Sequence, residues 1–247
     1  MRSSRVRSAL LVALFAAAPV LAGDTLETAE KQIVEKNEKF KTLSAKMTTT
    51  FDVDGPMGKM SGKAEGTLEY AKHADKMKCR LETRVNIQQG GEGGMAMEQS
   101  VLMVCDGEFV YQLSEMMGMK QAVKLKPDAA QLDFAARMIL DKLKKEADLK
   151  LLADEVVDGA QTFTIEATLK TPKPQIPITK QTLYFSKENG VLLKEVDQDK
   201  DGKPLQTTTF SEIKLDSDIK PDRFEFKAPE GVTVVDMTAQ STPSPSP

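Results

Sequence analysis

The sequence predicts a mainly β (α+β) protein: a single curved antiparallel sheet, or open half-barrel, of about ten or eleven strands, with an N-terminal helix and a helical lid over an apolar cavity. Three observations lead there. From Lys46 almost to the C-terminus the apolar residues recur mostly at period two. Only two stretches, one after Asp24 and one after Pro127, show helical spacing. An antiparallel sheet of this length must curve or split, and two helices are too few to cover a whole face, so a partly covered hollow is expected.

The chain opens with MRSSRVRSALLVALFAAAPVLAG. A basic head of Arg2, Arg5 and Arg7 precedes an apolar run, and Pro19 with Val20-Leu21-Ala22 reads as a cleavage region. This is the pattern of a signal peptide over residues 1–22, and its apolar run is too short to span a bilayer as a helix. The expected location is the periplasm, after cleavage. Removal of the three arginines takes the formal charge from −3 to −6, which disfavours binding to nucleic acid or to anionic membrane by bulk electrostatics. Residues 23–237 are read as one domain. Residues 238–247, ending STPSPSP, are too polar to bury surface and are read as a disordered tail.

Element by element, Asp24 or Thr25 caps a first helix whose stripe is Leu26, Ala29, Ile33, Val34, Phe40 and Leu43. Two strands then flank a Gly/Pro turn between Lys46 and Lys72, and Lys76–Gln88 pairs with Met95–Cys105. Asp106-Gly107 turns the chain into EFVYQL, and Met119–Leu125 follows. Pro127 and Asp128 open a second helix reaching about Lys145, with Leu132, Ala135, Ala136, Ile139 and Leu143 on one stripe and cationic Lys142, Lys144 and Lys145 near its end. Alternating segments resume at LKLLADEVVDG and run to RFEFKAPEGVTVVD. The prolines of TPKPQIPI mark an edge or crossing loop.

The chain has two cysteines, Cys79 and Cys105, and the glycine cluster around Glu92 lies midway between them. Folding a hairpin about Glu92 sets residue i opposite residue 184 − i. Cys79 then faces Cys105, Leu81 faces Met103, Thr83 faces Val101, Val85 faces Gln99 and Ile87 faces Met97, all on one largely apolar side. Directly paired positions in an exported chain suit a disulfide.

Leu81, Val85, Ile87, Met97, Val101 and Met103, with Leu132, Ala136 and Ile139 of the second helix, are therefore the candidate cavity lining. Thirteen methionines, with Met57, Met60, Met95, Met97, Met103, Met116, Met117 and Met119 grouped in the first half of the sheet, supply flexible surface for variable apolar ligands. The same thioethers admit a second reading as soft ligands for Cu(I). His73, the sole histidine, reads as a turn residue without partners. DQDKDG (Asp197–Gly202) begins like a calcium loop, but Thr208 stands where the closing glutamate belongs, so a hairpin turn is expected. No nucleophile–base set or cofactor motif is present, and the expectation is a non-enzymatic protein without a cofactor.

GTLEYAKHADKMKCRLE followed by VLMVCDGEFVYQLSEMMGMKQAVKL resembles the paired strands of the periplasmic lipoprotein carriers, the LolA-like family, and IKPDRFEFKAPEGVTVVD resembles that family's closing segment. The resemblance implies an open β-barrel closed by a helical lid around an acyl-chain cavity. It implies lipoprotein acyl chains or lipids as ligands, inner-membrane donor and outer-membrane acceptor partners, and a monomer. An interaction module of the same fold that senses envelope stress is the other role it implies. His73 stands in the turn where the carriers place a cavity arginine, and Glu69 and Val110 stand where strand tryptophans are common.

Overall fold

Thr25 begins the first helix with a reciprocal cap. Its hydroxyl accepts from the Thr28 amide, and the Thr28 hydroxyl accepts from the Thr25 amide. Helix α1 then runs Leu26–Asn37. Phe40 and Leu43 do not extend its stripe as the spacing suggested. They lie beyond its end, where strand β1 (Thr42–Gly55) already starts, and bury against Leu68, Tyr70 and Val191. Tertiary burial of two large side chains here outweighs a helical period. The computed structural model describes residues 24–55, 58–73, 76–90, 94–127, 135–171 and 177–239. The leader, most of the Ser/Pro tail and Leu132 lie outside the described residues.

Strands β2 (Gly58–His73), β3 (Lys76–Gln89), β4 (Met95–Cys105), β5 (Val110–Met116) and β6 (Met119–Leu125) follow as a meander. Asp106 makes the turn before β5: its carboxylate accepts from the Glu108 and Phe109 amides while Gly107 takes φ 95°. Helix α2 (Ala136–Glu146) comes next, and then β7 (Ala147–Leu151), β8 (Glu155–Val157), β9 (Ala160–Leu169), β10 (Lys180–Ser186), β11 (Leu192–Gln198), β12 (Pro204–Leu215) and β13 (Val234–Asp236). Asp199 closes the β11–β12 hairpin through the Asp201 and Lys203 amides, so DQDKDG is a turn. These thirteen strands form one sheet in the order β13-β6-β5-β4-β3-β2-β1-β12-β11-β10-β9-β7, with β8 also on β9. Every pairing is antiparallel except β13 on β6. The count exceeds the expected ten or eleven in part because LKLLADEVVDG breaks into β7 and β8. The closing segment yields a strand only at Val234–Asp236.

One face of the sheet, the inner face, carries both helices. Ala29 and Ile33 of α1 and Ala136, Leu140 and Leu143 of α2 bury against Phe163, Ile165, Ala167, Leu183 and Phe185. This core covers β7, β9 and β10, with Leu192 of β11 packed at its edge. Asn37 ties its parts together from a buried position: its amide donates to the Gly190 carbonyl, and its Oδ1 accepts from the Ala136 amide at the uncapped start of α2.

The outer face is crossed by the C-terminal segment. Glu69, Arg80, Val104, Tyr111 and Lys124 form a single row across β2 to β6. A 3-10 turn at Pro221–Phe224 lands on this row. Arg223 donates to Glu69 at 2.7 Å and to Glu82 at 3.1 Å, and Arg80 donates to the Arg223 carbonyl. Phe224 is buried, and Phe226 stacks on Tyr111 with centroids 5.1 Å apart. Asp236 then pairs with Lys124 in β13. RFEFK is therefore a strap rather than a strand, because its aromatic residues bury only by lying across the row.

Two expected outcomes follow from this packing. A Cβ on Gly190 would sit 2.2 Å from the Ile33 carbonyl oxygen, at φ +72°. Gly190→Ala should cost roughly 2–3 kcal/mol in urea melts, because a fixed helix backbone cannot yield. The second concerns acid. Burial alone raises the Glu82 carboxyl, but the Arg80 hydrogen bond and the Arg80 and Arg223 charges outweigh it and hold it below the usual range. A depressed carboxyl stabilises the fold above its unfolded value and loses that contribution as pH falls through the folded one. Both partners are part-exposed, so the loss should be at most about 1 kcal/mol. Stability should fall less between about pH 5 and 3 in Arg223→Gln than in the parent chain; equal slopes would detach the strap from the acid response.

Candidate functional site

The inner face of β1 to β6 is built in rows by an unshifted register between β2 and β6. The lowest row, nearest the helices, is Leu43, Tyr70, Cys79, Cys105, Val110 and Leu125. Above it come Leu68, Leu81, Met103 and Gln112, then Gly66, Thr83, Val101 and Ser114, then Ala64, Val85, Gln99 and Met116, then Gly62, Ile87 and Met97. The β3–β4 pairs are those that folding about Glu92 predicts. Burial falls along the rows: Cys79 and Cys105 are buried, whereas Leu81, Thr83, Val85, Ile87, Met97 and Val101 are half-buried. No described helix lies over these upper rows.

An apolar recess opens where this face meets the helices. Phe40, Leu43, Ala45, Leu68, Tyr70, Val191, Leu192 and Phe210 line it, with Ile139 of α2 closing one side, and its volume is about 40 Å³. Burial pushes the Tyr70 hydroxyl up to about 12, so this wall stays neutral. Lys72 stands beside it with its ammonium 4.7 Å from the Phe40 ring centroid and donating to the Asn37 carbonyl. Burial lowers the Lys72 pKa, against the nearby carboxylates Glu38 and Asp216.

Of the candidate cavity residues, Ile139 lines this recess. Leu81 packs beside it on the Leu68–Tyr70 cluster, and Met103 packs on the cysteine cluster. Val85, Ile87, Met97 and Val101 continue the apolar face away from it. Ala136 is packed into the helix core and lines nothing. Phe40, Tyr70, Val191 and Phe210 were absent from the candidates because they come together through β12, which pairs with β1 from far along the chain. Only the alternation of Leu43 and Ala45 in β1 hinted at them. Helix α2 is less a loose lid than a wall, since Leu140 and Leu143 anchor it in the core.

Cys79 and Cys105 are directly paired and their thiols are free in this structure. They hydrogen-bond to each other, which raises Cys79 and lowers Cys105. Cys105 also donates to the Met77 carbonyl. Val110, Met77, Met103 and Leu125 enclose them. His73 ends β2 opposite Lys76.

No family model and no curated protein matches this chain. Solved structures do. An uncharacterised conserved protein of Thermus thermophilus is 15% identical with a TM-score of 0.50, over 84% of this chain and 96% of that one. The MucA/MucB complex of Pseudomonas aeruginosa is 15% identical with a TM-score of 0.39, over 80% and 59%. A domain described as outer membrane lipoprotein-sorting, from Vibrio parahaemolyticus, is 12% identical with a TM-score of 0.36, over 80% and 96%.

The paired register gives an expected outcome for the cysteines. Oxidation would close a loop worth about 3.5 kcal/mol in the chain-entropy model. Protein taken from the exported fraction should weigh two hydrogens less than the dithiol and lose stability on that scale when reduced. An unchanged mass with two alkylatable thiols after unfolding would assign them to ordinary packing. At these identities the likeness to known proteins is one of architecture: the chain shares its fold with the Thermus thermophilus protein.

Proposed function

We propose that this is an exported, non-enzymatic carrier that binds acyl chains of lipids or lipoproteins on its inner face. The observation that carries the reading is the recess between α2, β1, β2 and β12, continuous with uncovered apolar rows on β3 and β4. Its volume is about 40 Å³, so it would seat only the end of a chain, the remainder lying along the apolar rows of β3 and β4. Its lining is apolar, its Tyr70 wall is neutral, and it holds no fixed carboxylate. These features suit a hydrocarbon chain better than a polar substrate. A polar headgroup would remain at the half-buried rim.

Access follows from the packing. Lifting α2 bodily would expose Leu140 and Leu143 and cost several kcal/mol of buried apolar surface. Entry along the open β3–β4 rows requires no such loss, so Leu81, Val101 and Met103 form the ramp and Phe210 and Ile139 the end wall. The export leader read in residues 1–22 supports a periplasmic location, and inner-membrane donor and outer-membrane acceptor proteins are the partners a shuttle needs. The role is proposed for a monomer, which carries the whole recess within one chain.

The test is lipid retention. Native mass spectrometry of protein purified under mild conditions should show an added mass that organic solvent removes and that fragments as an acyl lipid. Phe210→Arg and Val101→Glu should each lose it while keeping the melting temperature within about 3 °C, the shift of roughly 1 kcal/mol in a domain of this size. Retention in both folded variants would put the ligand elsewhere. Absence of any lipid uptake by the parent chain would favour a protein-binding role for this face.

A further inference from the structure

At the end of the sheet remote from the helices, the inner face changes character. Met97 of β4, Met116 of β5 and Met119 of β6 occupy this end. Met116 and Met119 are a direct cross-strand pair, and Met116 opposes Gln99, two residues from Met97. Direct pairs place Cβ atoms about 5 Å apart and diagonal ones about 7–8 Å, within reach of long side chains. Met95 continues the same face two residues before Met97, and Met60 shares it across β2 and β3 through Gln89. Met117 sits in the β5–β6 turn at φ 53°.

These side chains are not core. Met95 is 65% exposed, Met117 75% and Met119 69%, and Met116 is exposed as well. They make up most of the exposed large apolar residues among the described residues. Met95, Met97 and Met117 also border one surface recess with Glu98 and Glu115. Those carboxylates pair with Arg84 and Lys120.

We propose that this methionine tip is a Cu(I) site, formed chiefly by the thioethers of Met97, Met116 and Met119, with Met95 or Met117 completing the coordination. Thioether sulfur is a soft, neutral donor that suits Cu(I) and is a poor ligand for Zn(II), Ca(II) or Mg(II). Among the described residues no cluster of His, Cys, Asp or Glu offers a competing site of harder donors. Three strands of one sheet fix the positions of the donors, and the flexible methionine chain closes the remaining distance. Because thioethers bind no proton near neutrality, the affinity is independent of pH, unlike that of a thiolate site. The site is separate from the recess, so it stands whether or not an acyl chain binds there.

The test is an anaerobic titration of the full chain with Cu(I) held by a chromogenic chelator. The parent chain should withdraw one Cu(I). Met97→Leu/Met116→Leu/Met119→Leu should hold it about tenfold less tightly or worse, the scale on which changes around metal ligands act. Its melting temperature should move by no more than about 3 °C, since Met116 and Met119 are exposed and Met97 is only half-buried. Retention should be flat between about pH 5 and 8, and Cys79→Ala/Cys105→Ala should bind as the parent does. Independently, ε-methyl resonances of Met97, Met116 and Met119 should shift on Cu(I) addition while that of Met103 stays put. Equal retention in the methionine variant, loss in the cysteine variant, or affinity that climbs with pH would each overturn the proposal and move the copper to the thiols. A parent chain that withdraws no Cu(I) would overturn it outright.

Discussion

The structure turns on one mismatch: among the described residues a single thirteen-stranded sheet has one inner face to bury and two short helices to bury it with. The helices spend their apolar residues on β7, β9 and β10, where Phe163, Phe185, Ile165 and Leu183 need full cover. Among the described residues no helix lies over β3 and β4, and Leu81, Val85, Ile87 and Val101 are half-buried. The recess forms at the boundary between the two regimes, with Ile139 on the covered side and Phe210 on the open one. A half-covered sheet is costly for a protein with no ligand for it and useful for one that has an apolar ligand.

That mismatch also explains why the outer face needs a strap. Val104 and Tyr111 on β4 and β5 point away from the helices, and only the C-terminal segment is available to cover them. Phe224 and Phe226 supply the apolar contact, and Arg223, held by Glu69 and Glu82, fixes where the segment lands. The ion pairs are part-exposed and add little energy on their own. Their value is positional: they set the row on which the aromatic residues stack and so where β13 joins β6.

Asn37 and Gly190 play the corresponding part on the inner side. The amide joins the end of α1, the start of α2 and the β10–β11 turn. The glycine lets that turn approach the α1 backbone within a distance no side chain tolerates. Together they make the helix layer one rigid body, which is why α2 borders the recess as a wall. Binding energy is then not used to order the helix, and the ligand meets a preformed surface.

Local sequence determined a good deal. The mirror placement of Cys79 and Cys105 about Glu92 set the β3–β4 register residue by residue, because a hairpin's pairing follows from its turn alone. The Asp-Gly turns, the Thr25 cap and the inner-face identity of Leu81, Val101 and Met103 were equally legible, since each depends on neighbours within a few residues. Residues far apart in the chain settled the rest. Phe40 and Leu43 looked helical until β12 brought Phe210 beside them. RFEFK looked like a strand until the row of Glu69, Arg80, Val104 and Tyr111 gave its aromatic side chains somewhere to lie. Period and spacing fix which side of a strand a residue occupies, but long-range pairing decides which elements cover that side, and therefore where the face is left open to bind.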